Sequence, residues 1–201
     1  MEKCEIIYDH YKESCEICRN NEKDRNKLFT SVCVLLTLLY LFMIAEASML
    51  EMIYVWLKEK YDFDLVLSVG TIQSLIWVLL LYFTIRYFQQ CINIERLYQY
   101  IHSLEEQISN DLNFNFTREG KNYLQEYPAI LNFIWAIYTI VFPTLNFVLV
   151  VVKIIVEIHE SVSSWNLFIH VVLGVCDAIL TLLYFYFLHK DMFKKLFHYS
   201  R

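Results

Sequence analysis

The stretch WNLFIHVVLGVCDAILTLLYFYFL, residues 165–188, decides the fold. It carries one formal charge, Asp177, and one imidazole, His170. About 20 apolar residues at a 1.5 Å rise cross the hydrocarbon core of a bilayer, so this stretch is long enough to span it. Three other runs read the same way: Leu28 to about Trp56, Leu65 to Phe88 and Ala129 to Val152. In lipid every backbone N–H and C=O must be bonded internally, which leaves helices or a closed barrel. Barrel strands are about ten residues long and alternate in polarity, and none of these runs alternates. The sequence thus specifies an all-α membrane protein with four transmembrane helices. Composition agrees. Of 201 residues 57% are hydrophobic, above the roughly 45–50% of soluble domains, and three Gly and two Pro leave few helix breakers.

Basic residues set the expected orientation. Segment 1–27, the middle region 86–128 and the tail 189–201 hold 14 of the 17 Lys and Arg. The two remaining loops hold Lys58, Lys60 and Lys153 beside Glu59, Asp62, Asp64, Glu157 and Glu160. Both termini and the middle region are therefore expected in the cytoplasm of a multi-pass inner (plasma) membrane protein. Residues 1–27 are polar and lack the short apolar core of a signal peptide, so the first span is expected to be retained as an anchor. No segment is strongly basic, which argues against nucleic acid as an obligate partner.

The cytoplasmic parts read as helical extensions. In residues 1–27, Cys4, Tyr8, Tyr11, Cys15 and Cys18 recur at heptad spacing. In the stalk 89–128, Ile94, Leu97, Ile101, Leu104 and Ile108 do the same. A region of about 40 residues cannot build its own soluble core. Its stripe must be buried against the N-terminal helix, another copy of the chain, or a soluble cytoplasmic partner. Asn110 to Thr117 reads as a turn, and Thr117 can cap a short helix from Arg118 to Tyr127. Pro128 suits the first turn of the third span, and Pro143 should kink that span. The hairpins 28–88 and 129–188 then make a membrane bundle. The basic tail 189–201 faces anionic lipid headgroups.

Acids inside apolar runs carry the most information, because a charge at mid-bilayer costs about 3 kcal/mol on insertion scales. Counting from the outer ends of the runs, Glu46, Asp177 and Gln73 fall in a deeper layer, and Glu51, Asn146 and His170 in a shallower one. Such residues can line an ion or proton path or ring an oligomeric pore. They can equally be neutral, hydrogen-bonded links between helices. The first run can also end near Ala45, which would leave Glu51 at the interface. Cys4, His10, Cys15 and Cys18 include soft ligands suited to Zn²⁺, but their spacing is unlike paired zinc knuckles. Buried packing explains the cysteines, and neither a metal nor another cofactor is expected. Arg96 and His102 match the R-x4-6-H spacing of HEPN-type ribonucleases, in which His is the acid–base group. Asn115-Phe-Thr117 matches a glycosylation acceptor on the side expected to be cytoplasmic. With no phosphate-binding loop, Ser-His-Asp arrangement or HExxH, an enzyme is not expected.

The run INIERLYQYIHSLEE (92–106) after one span, and REGKNYLQEYP (118–128) leading into the next, give a resemblance. Together with the four-span layout they resemble small multi-spanning membrane proteins of bacterial antiviral defence loci. The resemblance implies an effector that oligomerises and permeabilises the inner membrane, with its cytoplasmic helices as the sensing surface. The leading expectation is an oligomeric channel or pore-type effector. The alternatives are a non-conducting scaffold that binds a soluble partner, and a membrane-tethered ribonuclease.

Overall fold

A computed structural model describes residues 2–61, 68–114, 116, 129–159 and 164–188. Every regular element among them is helical: α1 (Glu2–Ile44), α2 (Glu46–Tyr61), α3 (Val69–Leu112), α4 (Ala129–Ala136), a π-helical turn (Ile137–Val141), α5 (Phe142–His159) and α6 (Ser164–Leu188). Four helical segments are long and apolar enough to cross a bilayer: Glu5–Ile44, Val69–Leu112, Phe133–His159 and Trp165–Leu188. The Arg118–Tyr127 helix, Pro128, Asn115 and Thr117 of the acceptor, and the basic tail lie outside the described residues.

Two breaks in helical regularity have local causes. The first run divides at Ala45, so Glu46 opens α2 and lies outside the four helical segments long and apolar enough to cross a bilayer. Hydrogen bonds from Ala45 N to Leu41 O (2.8 Å) and Met49 N to Ala45 O (3.0 Å) carry the backbone through a bend. A carboxylate in the first turn of a helix also favours its positive dipole end. The second break precedes Pro143. Lacking an N–H, that residue cannot continue the α-ladder. The ladder relaxes to i→i−5 spacing, with Phe142 N bonded to Ile137 O. The kink expected at Pro143 takes this form, and the Tyr87 hydroxyl donates to the carbonyl of Tyr138 beside it.

The chain divides into two compact units, one made of Met1–Leu28 with Arg86–Phe142, the other of Phe29–Ile85 with Pro143–Arg201. In the first, the two heptad stripes share one core: Tyr11, Cys15 and Cys18 of α1 with Ile94, Ile101, Leu104 and Ile108 of α3, flanked by Leu97, Tyr98 and Phe116. The α3 stripe is thus occupied within one chain, so a partner would have to use another face. Tyr11 donates to the buried Glu105 (3.2 Å) and Tyr98 to Glu22 (3.0 Å). Helix α3 runs on to Leu112, further than the turn residues from Asn110 suggest. It ends in a Schellman-type cap, with Asn113 left-handed (φ 50°) and Phe114 N bonded to Ser109 O (3.3 Å).

On two helices of the second unit, α5 and α6, the usual pattern of a soluble bundle is inverted. On α6 the buried stripe is His170, Gly174, Asp177, Thr181 and Tyr184, while Trp165, Phe168, Leu182 and Phe187 are 58–70% exposed. On α5, beyond its first turn, the buried positions are Asn146, Val150, Lys153 and Glu157, with Leu145, Val148, Ile155 and Ile158 outside. Apolar outside and polar inside is the arrangement that lipid as solvent selects. Helix α1 supplies Val32, Leu35, Leu36, Leu39 and Phe42 to this unit's core. The Tyr40 hydroxyl donates to Leu149 O (2.7 Å), setting α1 against α5.

Ile101 is 1% exposed. Replacing it by Ala is expected to cost about 2–5 kcal/mol and to speed hydrogen exchange of amides 94–108. Burial, with Cys15 and Glu105 alongside, pushes the Tyr11 phenol well above its ordinary value of 10.0. The folded state then holds the proton that the unfolded state loses, so stability is fully present below about pH 10 and falls as the pH rises beyond it. Tyr11→Phe should flatten that alkaline decline in thermal unfolding.

Candidate polar site in the helix bundle

Apart from Gln73, the buried polar side chains of the second unit fall into two groups. Towards the outer ends of the spans expected from sequence, Lys153 Nζ lies 2.9 Å from Glu157 Oε1, one helical turn along α5. Glu157 Oε2 is 2.9 Å from His170 Nδ1 of α6, and His170 Nε2 is 2.9 Å from Ser74 Oγ of α3. Ser74 Oγ also reaches Gly70 O at 2.8 Å. Lys153, Glu157 and His170 are each 2% exposed or less. Trp77 packs near the imidazole, with ring centroids 6.1 Å apart.

This chain of contacts allows two proton arrangements on the same heavy atoms. With His170 neutral and its proton on Nδ1, that N–H donates to Glu157 and the Ser74 hydroxyl donates to Nε2. With His170 protonated, Nε2–H donates to Ser74, whose hydroxyl turns to Gly70 O. Glu157 receives Lys153 in both cases. A single buried carboxylate held between an ammonium and an imidazole meets the requirement that charges removed from water be paired, with Lys153 at ion-pair distance from Oε1 but without a well-aligned hydrogen bond.

The second group lies seven residues further along α6, roughly 10 Å. Here Asn146 Nδ2 donates to Asp177 Oδ2 at 2.8 Å, and Thr181 Oγ1 donates to the Asp177 backbone carbonyl at 2.9 Å. Thr84 of α3 lies beside the same carboxyl. Between the groups the interior is apolar: Leu80 and Val150 are buried, and a Cβ at Gly174 would collide with the Ile154 side chain. A larger residue at Gly174 would require the Ile154 side chain to turn aside.

Of the intramembrane residues singled out from sequence, Asn146, His170 and Asp177 belong to these two groups, and Gln73 is buried on α3. Glu46 and Glu51 do not join them. Both are exposed on α2, because the bend at Ala45 removes them from the first span. Lys153 and Glu157 escaped the sequence reading because the hydropathic run stops at Val152. The missed signal was their spacing, which continues the stripe of Asn146 and Val150 by three and then four residues. The structure therefore buries a cation that the sequence reading assigned to a loop.

The other sequence candidates do not assemble into a site. Arg96 is exposed and His102 partly buried on α3, and six residues of helix turn them about 120° apart. Cys15 and Cys18 are packed in the core while His10 is exposed, and the side chain of Cys4 lies outside the described residues. Among the described residues no group of three His, Cys, Asp or Glu side chains could hold a metal ion.

Removing one partner of a buried ion pair costs about 3–5 kcal/mol, whereas replacing both by apolar groups can be neutral. Lys153→Met alone should lower the thermal midpoint in detergent sharply. Lys153→Met with Glu157→Leu should recover most of the loss. Comparison with protein-family models, curated proteins and solved structures finds no match to this chain.

Proposed function

We propose that the protein is a small membrane channel that passes protons or small cations through the interior of its own helix bundle. The observation that supports this reading best is the pair of enclosed polar groups, Ser74–His170–Glu157–Lys153 and Asn146–Asp177–Thr84, carried by helices whose outer faces are apolar. A bundle held together by packing alone has no need of two charged layers, each costly in lipid. The apolar collar of Leu80 and Val150 between them has the character of a dewetting gate. On this reading the acids do not ring a pore between subunits, because Asp177 and Glu157 are each 1% exposed within one chain.

Helices α1 and α3 each supply residues to both compact units. A ligand, soluble partner or second copy acting on the Tyr11–Glu105 helix pair could therefore bias the gate. The distribution of basic residues supports a cytoplasmic location for that pair. The resemblance to membrane proteins of defence loci would make the channel an effector that dissipates ion gradients. The competing reading is a non-conducting scaffold, in which the same contacts serve only to hold the helices.

Reconstitution in lipid vesicles under an imposed gradient tests the proposal. The wild-type chain should leak protons or small cations, Leu80→Ser should raise the leak several-fold, and Asp177→Leu should abolish it. Vesicles that stay tight with both the wild type and Leu80→Ser would sink the channel and leave the scaffold.

A further inference from the structure

Asp177 differs from Glu157 in one respect. Glu157 has two nitrogen partners of basic residues, whereas the groups around Asp177 are neutral: Asn146 of α5, Thr84 of α3 and Thr181 of α6. The nearest buried basic residues, Lys153 and His170, are both engaged with Glu157. Three buried oxygens at this level lack a well-aligned hydrogen bond: Asp177 Oδ1, Asn146 Oδ1 and Thr84 Oγ1, although the Thr84 hydroxyl lies within bonding reach of the Asp177 carboxyl. Their residues are each 1% exposed. The bond from Asn146 Nδ2 to Asp177 Oδ2 fixes the amide so that its oxygen is the atom left over. Thr181 has already given its proton to a backbone carbonyl.

We infer that Asp177, Asn146 and Thr84 form a binding site for an alkali-metal cation. The donors are all oxygens, one each from a carboxylate, an amide and a hydroxyl, which is the ligand set of hard cations. One carboxylate balances one positive charge. A divalent ion would leave a net charge buried in lipid, where unpaired charge is most costly. The proton competes for the same carboxylate, so acidification opposes cation binding. This inference deepens the channel reading by naming the class of ion. The site's role rests on that reading, but its existence does not.

The test uses the full chain purified in mild detergent near neutral pH, with sodium, potassium or N-methylglucamine chloride at equal ionic strength. Sodium and potassium should each raise the thermal unfolding midpoint saturably above the organic cation, and radiolabelled sodium should bind with the same concentration dependence. Asp177→Asn should remove both responses, while Glu46→Gln on the exposed α2 should keep them. Thr84→Val should weaken binding about tenfold, or ~1.4 kcal/mol, and it carries the test should Asp177→Asn fail to fold. Identical midpoints in all three salts would overturn the inference, as would unchanged sodium binding in Asp177→Asn or Thr84→Val. Vesicle flux is a separate readout. Binding without flux retains the site and rejects the channel, and flux without binding does the reverse.

Discussion

The contact between Lys153, Glu157 and His170 is the constraint around which the bundle is arranged. A carboxylate in a lipid-facing protein can be ionised only where its charge is answered inside the chain. Two helices do so here, α5 with an ammonium one turn away and α6 with an imidazole. The third contributor, Ser74 of α3, fixes the far side of the ring. The apolar exteriors follow, since a stripe given to polar side chains on the inside leaves Val, Leu, Ile, Phe and Trp for the outside. The helices are held by specific polar geometry, because burial of apolar surface drives little once the solvent is itself apolar. The same reasoning bears on self-association. The outer face of α6, with Trp165, Phe168, Leu182 and Phe187, gains little by exchanging lipid for another protein surface.

The π-helical turn shows how backbone satisfaction and packing are solved together. Pro143 withdraws a donor from the ladder, and the Tyr87 hydroxyl comes to the Tyr138 carbonyl next to the disturbance. Tyr87 is wholly buried and its ring meets Phe142 edge-on, with centroids 5.1 Å apart. The donor is thus delivered by a side chain that also fills the adjoining space. In water the carbonyl could be hydrated; where water is scarce it needs a neighbour.

Much of this architecture is legible in the sequence, and the exceptions have physical causes. Runs of apolar residues announce the spans because lipid imposes length and polarity together. The α1 and α3 stripes are visible because heptad spacing is regular from Tyr11 to Cys18 and from Ile94 to Ile108. His170, Asn146 and Asp177 stand out as polar residues in apolar surroundings. Glu46 and Glu51 mislead because a bend at Ala45 costs only a small change in hydrogen bonding, which hydropathy does not register. Lys153 and Glu157 are hidden for the opposite reason. A cation and an anion at i and i+4 look like the edge of a loop until α6 brings His170 to them. Ser74, Thr84 and Thr181 are silent because a small hydroxyl sits comfortably in an apolar run, and only the neighbours in space show what it bonds. The carbonyl beside the i→i−5 break is likewise met by a donor 51 residues away, Tyr87, which no local pattern announces.

The position of Ser74 between Gly70 O and His170 Nε2 has a consequence for timing. Changing the charge of the imidazole asks the site for one hydroxyl rotation and for no movement of a heavy atom. Rotations of that size belong to the picosecond-to-nanosecond range, whereas helix displacements take microseconds or longer. The chain of hydrogen bonds can therefore reverse its direction without waiting for a helix to move. One heavy-atom frame serves both proton arrangements, so the switch leaves the packing of the three helices as it was.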